Sequence, residues 1–123
     1  TILAEKGKKY RMLPIVKKDG AKNPDAFNIE TEQIVDVKTP DGINGFNLTT
    51  GAIKEAQEQQ ATEVIIQLLQ KPDSYKQMRK AIFFMFQKKR IKTIENIIVI
   101  FPNNTVSKYK IDIKNETIKK TKL

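Results

Sequence analysis

The chain has 123 residues, with 23 Lys and Arg against 14 Asp and Glu and neither His nor Cys, which gives a formal net charge of +9 at pH 7. Without imidazole or thiol it excludes disulfide scaffolds, cysteine nucleophiles, Cys/His zinc sites and Ser-His-Asp triads, leaving carboxylates, Lys, Arg, Tyr and hydroxyls for any chemistry. Hydrophobic residues make up 39% and charged residues 30%, enough apolar material for a single domain with one small core.

In chain order, Ile2 to Lys9 reads as the tail of a helix ending near Gly7. Tyr10, Met12, Leu13 and Ile15 then read as a strand, closed by the turn-rich Lys17 to Pro24. Asp25 to Ile29 and Gln33 to Lys38 are short β-type runs separated by Glu30, Thr31 and Glu32, the spacing of an antiparallel hairpin. Pro40 to Gly45 is a loop, after which Thr49 or Thr50 is expected to cap a helix carrying Ile53, Ala56, Gln57 and Gln60 on its inner stripe. Thr62 to Leu69, β-branched at its centre, has the pattern of a central strand covered on both faces.

Pro72, Asp73 and Ser74 start a second helix whose apolar residues Tyr75, Met78, Ile82, Met85 and Phe86 recur at helical spacing. Its other face bears Lys76, Arg79, Lys80 and Lys89, and Phe83, Phe84 and Phe86 read as core and not as a base-stacking platform. Ile97 to Phe101 and Val106 to Ile113 form a hairpin around Pro102, Asn103 and Asn104, and the last ten residues read as a basic, frayed tail. The order is helix, three-strand meander, helix, strand, helix and hairpin. It predicts an α/β or α+β fold: a central mixed sheet flanked by helices.

No apolar stretch approaches the roughly 20 residues of a bilayer-spanning helix, and no leader pattern opens the chain. Its start at Thr1, inside the expected first helix, fits a domain excised from a longer protein and equally the removal of an initiator Met. Residues 1–70 hold nine basic and ten acidic residues, a net −1, whereas residues 71–123 hold fourteen basic and four acidic, a net +10. A half so positive attracts a polyanion by neutralising phosphates and releasing counterions. Nucleic acid is the expected partner, with Lys54, Arg79, Lys80, Lys108 and Lys110 as candidate phosphate contacts.

Three residues form a candidate site: Asp25 after Pro24, and Asp36 and Lys38 flanking Val37. In a strand, i and i+2 share a face, so Asp36 and Lys38 project together. A turn at Thr31-Glu32 pairs hairpin positions summing to 63 and sets Asp25 opposite Lys38; the register summing to 61 sets Asp25 opposite Asp36. Either odd sum gathers all three on one face, whereas a three-residue loop would put Asp25 on the reverse. Two adjacent carboxylates resist ionising unless a cation lies between them. Oxygen ligands from Asp25, Asp36 and the Val37 carbonyl suit Mg²⁺ or Mn²⁺, with Zn²⁺ as a further candidate. Lys38 would orient or deprotonate a water or stabilise developing charge, which together is the chemistry of phosphodiester hydrolysis.

Pro24-Asp25 followed by Asp36-Val37-Lys38, in the order helix, three strands, helix and strand, resembles the PD-(D/E)xK nuclease superfamily, with Asp36 in the slot that is often Glu. The resemblance implies a metal-binding acid at the start of the second core strand (Asp25) and an acid-x-Lys on the third (Asp36, Lys38). It also implies an acid on the first helix, for which Glu5 is the candidate, and a Gln on the second, for which Gln60 or Gln59 fits. Ala4 to Ile66, with Gly7, Leu13-Pro14, Asn23-Pro24-Asp25-Ala26, Thr39-Pro40 and Gln60-Ala61, is similar to the nuclease domains at the C-terminus of contact-dependent growth inhibition toxins, several of which cut tRNA. That likeness implies a metal-dependent endonuclease acting on RNA, delivered as part of a larger secreted or cell-surface protein, working in the target-cell cytoplasm and blocked by an acidic immunity protein. A DNA endonuclease and a non-catalytic nucleic-acid-binding domain are the alternatives.

Overall fold

A computed structural model describes residues 10–12, 26–28 and 33–122. Its elements are β1 (Tyr10–Met12), β2 (Ala26–Asn28), β3 (Gln33–Lys38), α1 (Gly45–Glu58), β4 (Glu63–Gln67), α2 (Tyr75–Gln87), β5 (Asn96–Ile100), β6 (Val106–Asp112) and β7 (Thr117–Lys122). The strands form one mixed sheet in sequence order. β1–β2, β2–β3, β5–β6 and β6–β7 are antiparallel, and β3–β4 and β4–β5 are parallel. The expected first helix, Ile2 to Lys9, lies outside the described residues.

The two parallel steps fix where the helices go. β3–α1–β4 and β4–α2–β5 are consecutive crossovers moving the same way along the sheet, and crossovers of one hand stepping in one direction return over the same face. Val64 and Ile66 of β4 and Ile97 and Val99 of β5 accordingly pack with Ala52, Ile53 and Ala56 of α1 and Met78, Ile82 and Met85 of α2. The alternate residues Ile65, Ile98 and Ile100 form a second cluster on the other face with Val35 and Val106. β4 and β5 are thus buried on both sides, as the unbroken run of branched apolar residues predicts, and each fully buried Ile contributes about 1.5–3 kcal/mol.

The starts of the two helices are welded together. Ser74 caps α2 by accepting from the Gln77 N–H, as predicted. The cap of α1 is Asn44, which accepts from the Asn47 N–H at 2.9 Å, and not Thr49 or Thr50. Both threonines lie inside the helix, where the Thr49 hydroxyl donates to the Gly45 carbonyl at 2.7 Å and Thr50 to that of Asn47 at 3.2 Å. The earlier start follows from packing. A Cβ at Gly45 would lie 2.6 Å from the Ser74 carbonyl oxygen, so only glycine fits there. The Gly45 N–H donates to Asp73 Oδ1 at 2.8 Å, and the Asp73 N–H donates to the Ile43 carbonyl at 2.7 Å.

Both helices end in Schellman motifs. After α1, the Gln60 and Ala61 N–H groups donate to Gln57 and Ala56; after α2, those of Lys89 and Arg90 donate to Phe86 and Met85. The left-handed residue that such a motif needs is Gln60 (φ 60°) in one and Lys89 (φ 55°) in the other.

The C-terminus departs from the expected frayed tail, because Thr117–Lys122 forms β7 and pairs with β6 from Asp112↔Thr117 to Ser107↔Lys122. Asp112 anchors the turn by accepting from the Asn115 backbone at 3.1 Å and side chain at 2.8 Å. Ile118 then packs against the helix-side core. No described helix is long and apolar enough to cross a membrane.

Candidate functional site

β3 begins and ends where its sequence pattern predicts, and its pairing with β2 is Ala26↔Val35, Phe27↔Ile34 and Asn28↔Gln33. Each pair sums to 61, the second of the two odd registers. Across the parallel step, Asp36 faces Val64 and Lys38 faces Ile66, and both partners belong to the helix-side core. Strand alternation therefore points Asp36 and Lys38 toward α1. Asp25 and Glu5 lie outside the described residues.

Asp36 is only 2% exposed. The Lys38 ammonium lies 3.2 Å from Asp36 Oδ2 and 3.1 Å from Glu55 Oε2, gathering two carboxylates around one cation. Burial alone would lower the Lys38 pKa, but hydrogen bonds from its ammonium to Glu55 and Asp36, with the charges of both, outweigh that and raise it above 10.5. Glu55, whose side chain is 61% exposed, went unnoticed in the sequence. The usable signal was its position beside the buried stripe of Ala52 and Ala56, at the border of the helix face that a β–α–β crossover turns toward its own strand. Lys38, Glu55, Thr39, Pro40 and Asn47 line an open cleft of about 390 Å³.

The remaining candidates fall in separate places. Lys54 is exposed on α1 and lines a neighbouring cleft of about 800 Å³ with Arg90 and Lys92. Arg79 and Lys80 are exposed on α2. Arg79 borders a third cleft with Tyr75, Phe101, Tyr109 and Lys120, where Tyr75 and Phe101 meet edge to face at 4.9 Å. Burial raises the Tyr109 pKa above 10.0, against an opposing effect of the Arg79 charge.

Lys108 and Lys110 alternate with Tyr109 and Ile111, which pack into the helix-side core. The two lysines therefore face the other way and line a cleft of about 710 Å³ with Lys92, Lys114, Asn96 and the acids Glu95 and Asp112. The α2 and β6 cations sit on opposite faces of the sheet, joined at one margin by Lys92, which borders clefts on both sides.

Gln60 is not on the inner stripe of α1. It is exposed and left-handed one residue beyond the C-cap Gln59, because the helix closes there to turn into β4. Gln57 is instead a structural clamp, donating to the Arg90 carbonyl at 2.9 Å and accepting from the Lys92 N–H at 2.6 Å and the Thr93 N–H at 3.0 Å. Phe83, Phe84 and Phe86 pack against the core as expected, with Arg90 stacked over Phe84 at 5.5 Å.

No group of three or more metal-ligating side chains occurs among the described residues. Two carboxylates nonetheless converge on the Lys38 ammonium, and an all-oxygen set of this kind matches the preference of hard divalent cations. The donor chemistry fits such an ion if Asp25 joins it.

With this geometry in view, the family model of the contact-dependent growth inhibition CdiA C-terminal domain matches residues 22–106. A solved CdiA-CT/CdiI toxin and immunity complex from Burkholderia pseudomallei is similar in fold, with a TM-score of 0.60 and 22% identity over 99% of this chain and 77% of that one. No curated protein matches the sequence.

Proposed function

Since the chain belongs to the family of contact-dependent growth inhibition CdiA C-terminal domains, we propose that it is the toxin module of a delivered protein and acts as a metal-dependent endonuclease on RNA, with tRNA as the first substrate to test. The observation that carries this reading is the Asp36–Lys38–Glu55 cluster beside an open cleft, with Asp36 and Lys38 on a β2–β3 ladder whose register has the parity the site requires. Asp25 and Asp36, with the Val37 carbonyl, would hold Mg²⁺, Mn²⁺ or Zn²⁺, and Glu5 would add a carboxylate. The bound ion supplies charge neutralisation and a more acidic water.

The chain's own part is to bind and orient. Asp36, held by β3, fixes one ligand. Lys38 places a positive charge beside the position of the scissile phosphate and helps to orient the attacking water. Glu55 tethers the Lys38 ammonium so that its place is set before substrate arrives. The toxin–immunity complex of the similar structure supports an immunity protein as partner, and a basic surface calls for an acidic one.

The test incubates purified protein with total RNA and with plasmid, each with EDTA or with added Mg²⁺, Mn²⁺ or Zn²⁺. We expect RNA fragments only with metal, and a loss of about 100-fold or more in Asp36→Ala and Lys38→Ala proteins of unchanged circular dichroism. Cleavage confined to plasmid would move the substrate to DNA. Full activity in either variant would defeat the site.

A further inference from the structure

α1 contains two glycines, and they answer to different constraints. Gly45 is required by its contact with Ser74. Gly51, in the middle of the same helix, has no such reason: a Cβ there meets no atom within 4 Å, and its φ is not positive. Glycine inside a helix is destabilising relative to alanine, so neither packing nor backbone geometry accounts for its presence.

Its position does. Gly51 and Asn47 line both the cleft containing Lys38 and Glu55 and the cleft containing Lys54, Arg90 and Lys92. The missing side chain lowers the ridge between them, leaving one shallow groove across the outside of α1. Beyond the ridge three cations face a single acid, Glu58, and no aromatic side chain lines either cleft. The groove is suited to a charged chain that crosses without stacking its bases.

We infer that the sugar-phosphate backbone of a nucleic-acid strand crosses α1 over Gly51, anchored by Lys54, Arg90 and Lys92, which brings its next phosphates to the cleft lined by Lys38. The inference rests on the nuclease reading and names the path of the substrate. Substrate therefore approaches along α1, and the Lys108 and Lys110 face, which meets this groove at Lys92, lies off its path.

The test measures binding of a fluorescein-labelled tRNA by anisotropy in EDTA, together with cleavage in metal, for wild type, Gly51→Ala, Gly51→Gln and the loop control Gly42→Gln, where a Cβ also meets open space. Both Gly51 variants should unfold at higher urea concentration than wild type. Gly51→Gln should bind tRNA about tenfold more weakly and cleave correspondingly less, while Gly42→Gln matches wild type. Wild-type affinity in Gly51→Gln overturns the path even if the wild type cleaves. If Gly51→Gln loses tRNA binding but wild type cuts nothing in any metal, the groove stands and the nuclease reading falls. Weaker binding of an immunity protein, with tRNA affinity unchanged, would assign the groove to that partner and overturn the proposal.

Discussion

The face of the sheet that carries the helices and the face turned away from them both collect charge, by different means. On the helix side, Asp36 and Lys38 meet Glu55, a residue 17 positions further along the chain, because a crossover folds α1 back over its own strand. On the other side, Lys108 and Lys110 share a surface through strand alternation alone. Opposite charges in a half-buried cluster are held in fixed relation, which is what chemistry on a phosphate demands. Exposed Lys110, with Lys114 beside it in the cleft, acts at longer range and yields to salt. Cations near a sheet thus mean different things according to how deeply they and their acids are buried.

That contrast can be broken most severely at Gly45, which sets where α1 starts. Gly45→Ala places a methyl group 2.6 Å from the Ser74 carbonyl and should lower unfolding free energy in urea by about 3 kcal/mol, as overpacking does. A loss under about 0.5 kcal/mol would show that the two helix starts are not locked. A smaller effect separates the two sets of cations. Lys54→Glu should weaken RNA binding about tenfold and reduce the slope of log affinity against log salt by about 1 or more. Lys110→Glu should change affinity less than half as much on a logarithmic scale, and equal losses would erase the distinction between faces.

The smallest effect concerns Tyr109. Its folded pKa lies above the unfolded value because burial favours the neutral phenol. The stability this adds is therefore complete below about pH 10 and is lost as pH rises through the folded value. Titration followed at 295 nm should show a late phenolate step that Tyr109→Phe lacks; superimposable curves, allowing for one fewer tyrosine, would contradict it.

Local pattern made much of this fold legible. The six residues of β3 alternate clearly enough to fix the strand and the shared face of Asp36 and Lys38, and the apolar run after Thr62 marks a strand buried on both sides. Ser74 follows a proline and an aspartate, so the start of α2 was plain. Where several residues could do the same work, local pattern failed. Asn44, Thr49 and Thr50 are all capable caps, and the tertiary contacts of Gly45 with Ser74 and Asp73 chose among them. Gln60 has the helical spacing of the inner stripe, but α1 ends before it. Thr117–Lys122 looked like tail because its lysines mask the one inward apolar residue, Ile118. Glu55 became part of the candidate site only through the crossover, so its place beside the Ala52 and Ala56 stripe is a signal only once β3–α1–β4 is read as one crossover unit.

β7 ends the described sheet beside β6, and its sequence reads TIKKTK. A last strand presents a ladder of backbone donors and acceptors to any other strand that drifts past, and lysines on it keep such neighbours away. Lys119, Lys120 and Lys122, all exposed, therefore tie solubility to electrostatics: a version of this domain neutralised along β7 would exchange part of its attraction for polyanions for a tendency to aggregate by adding one sheet to the next.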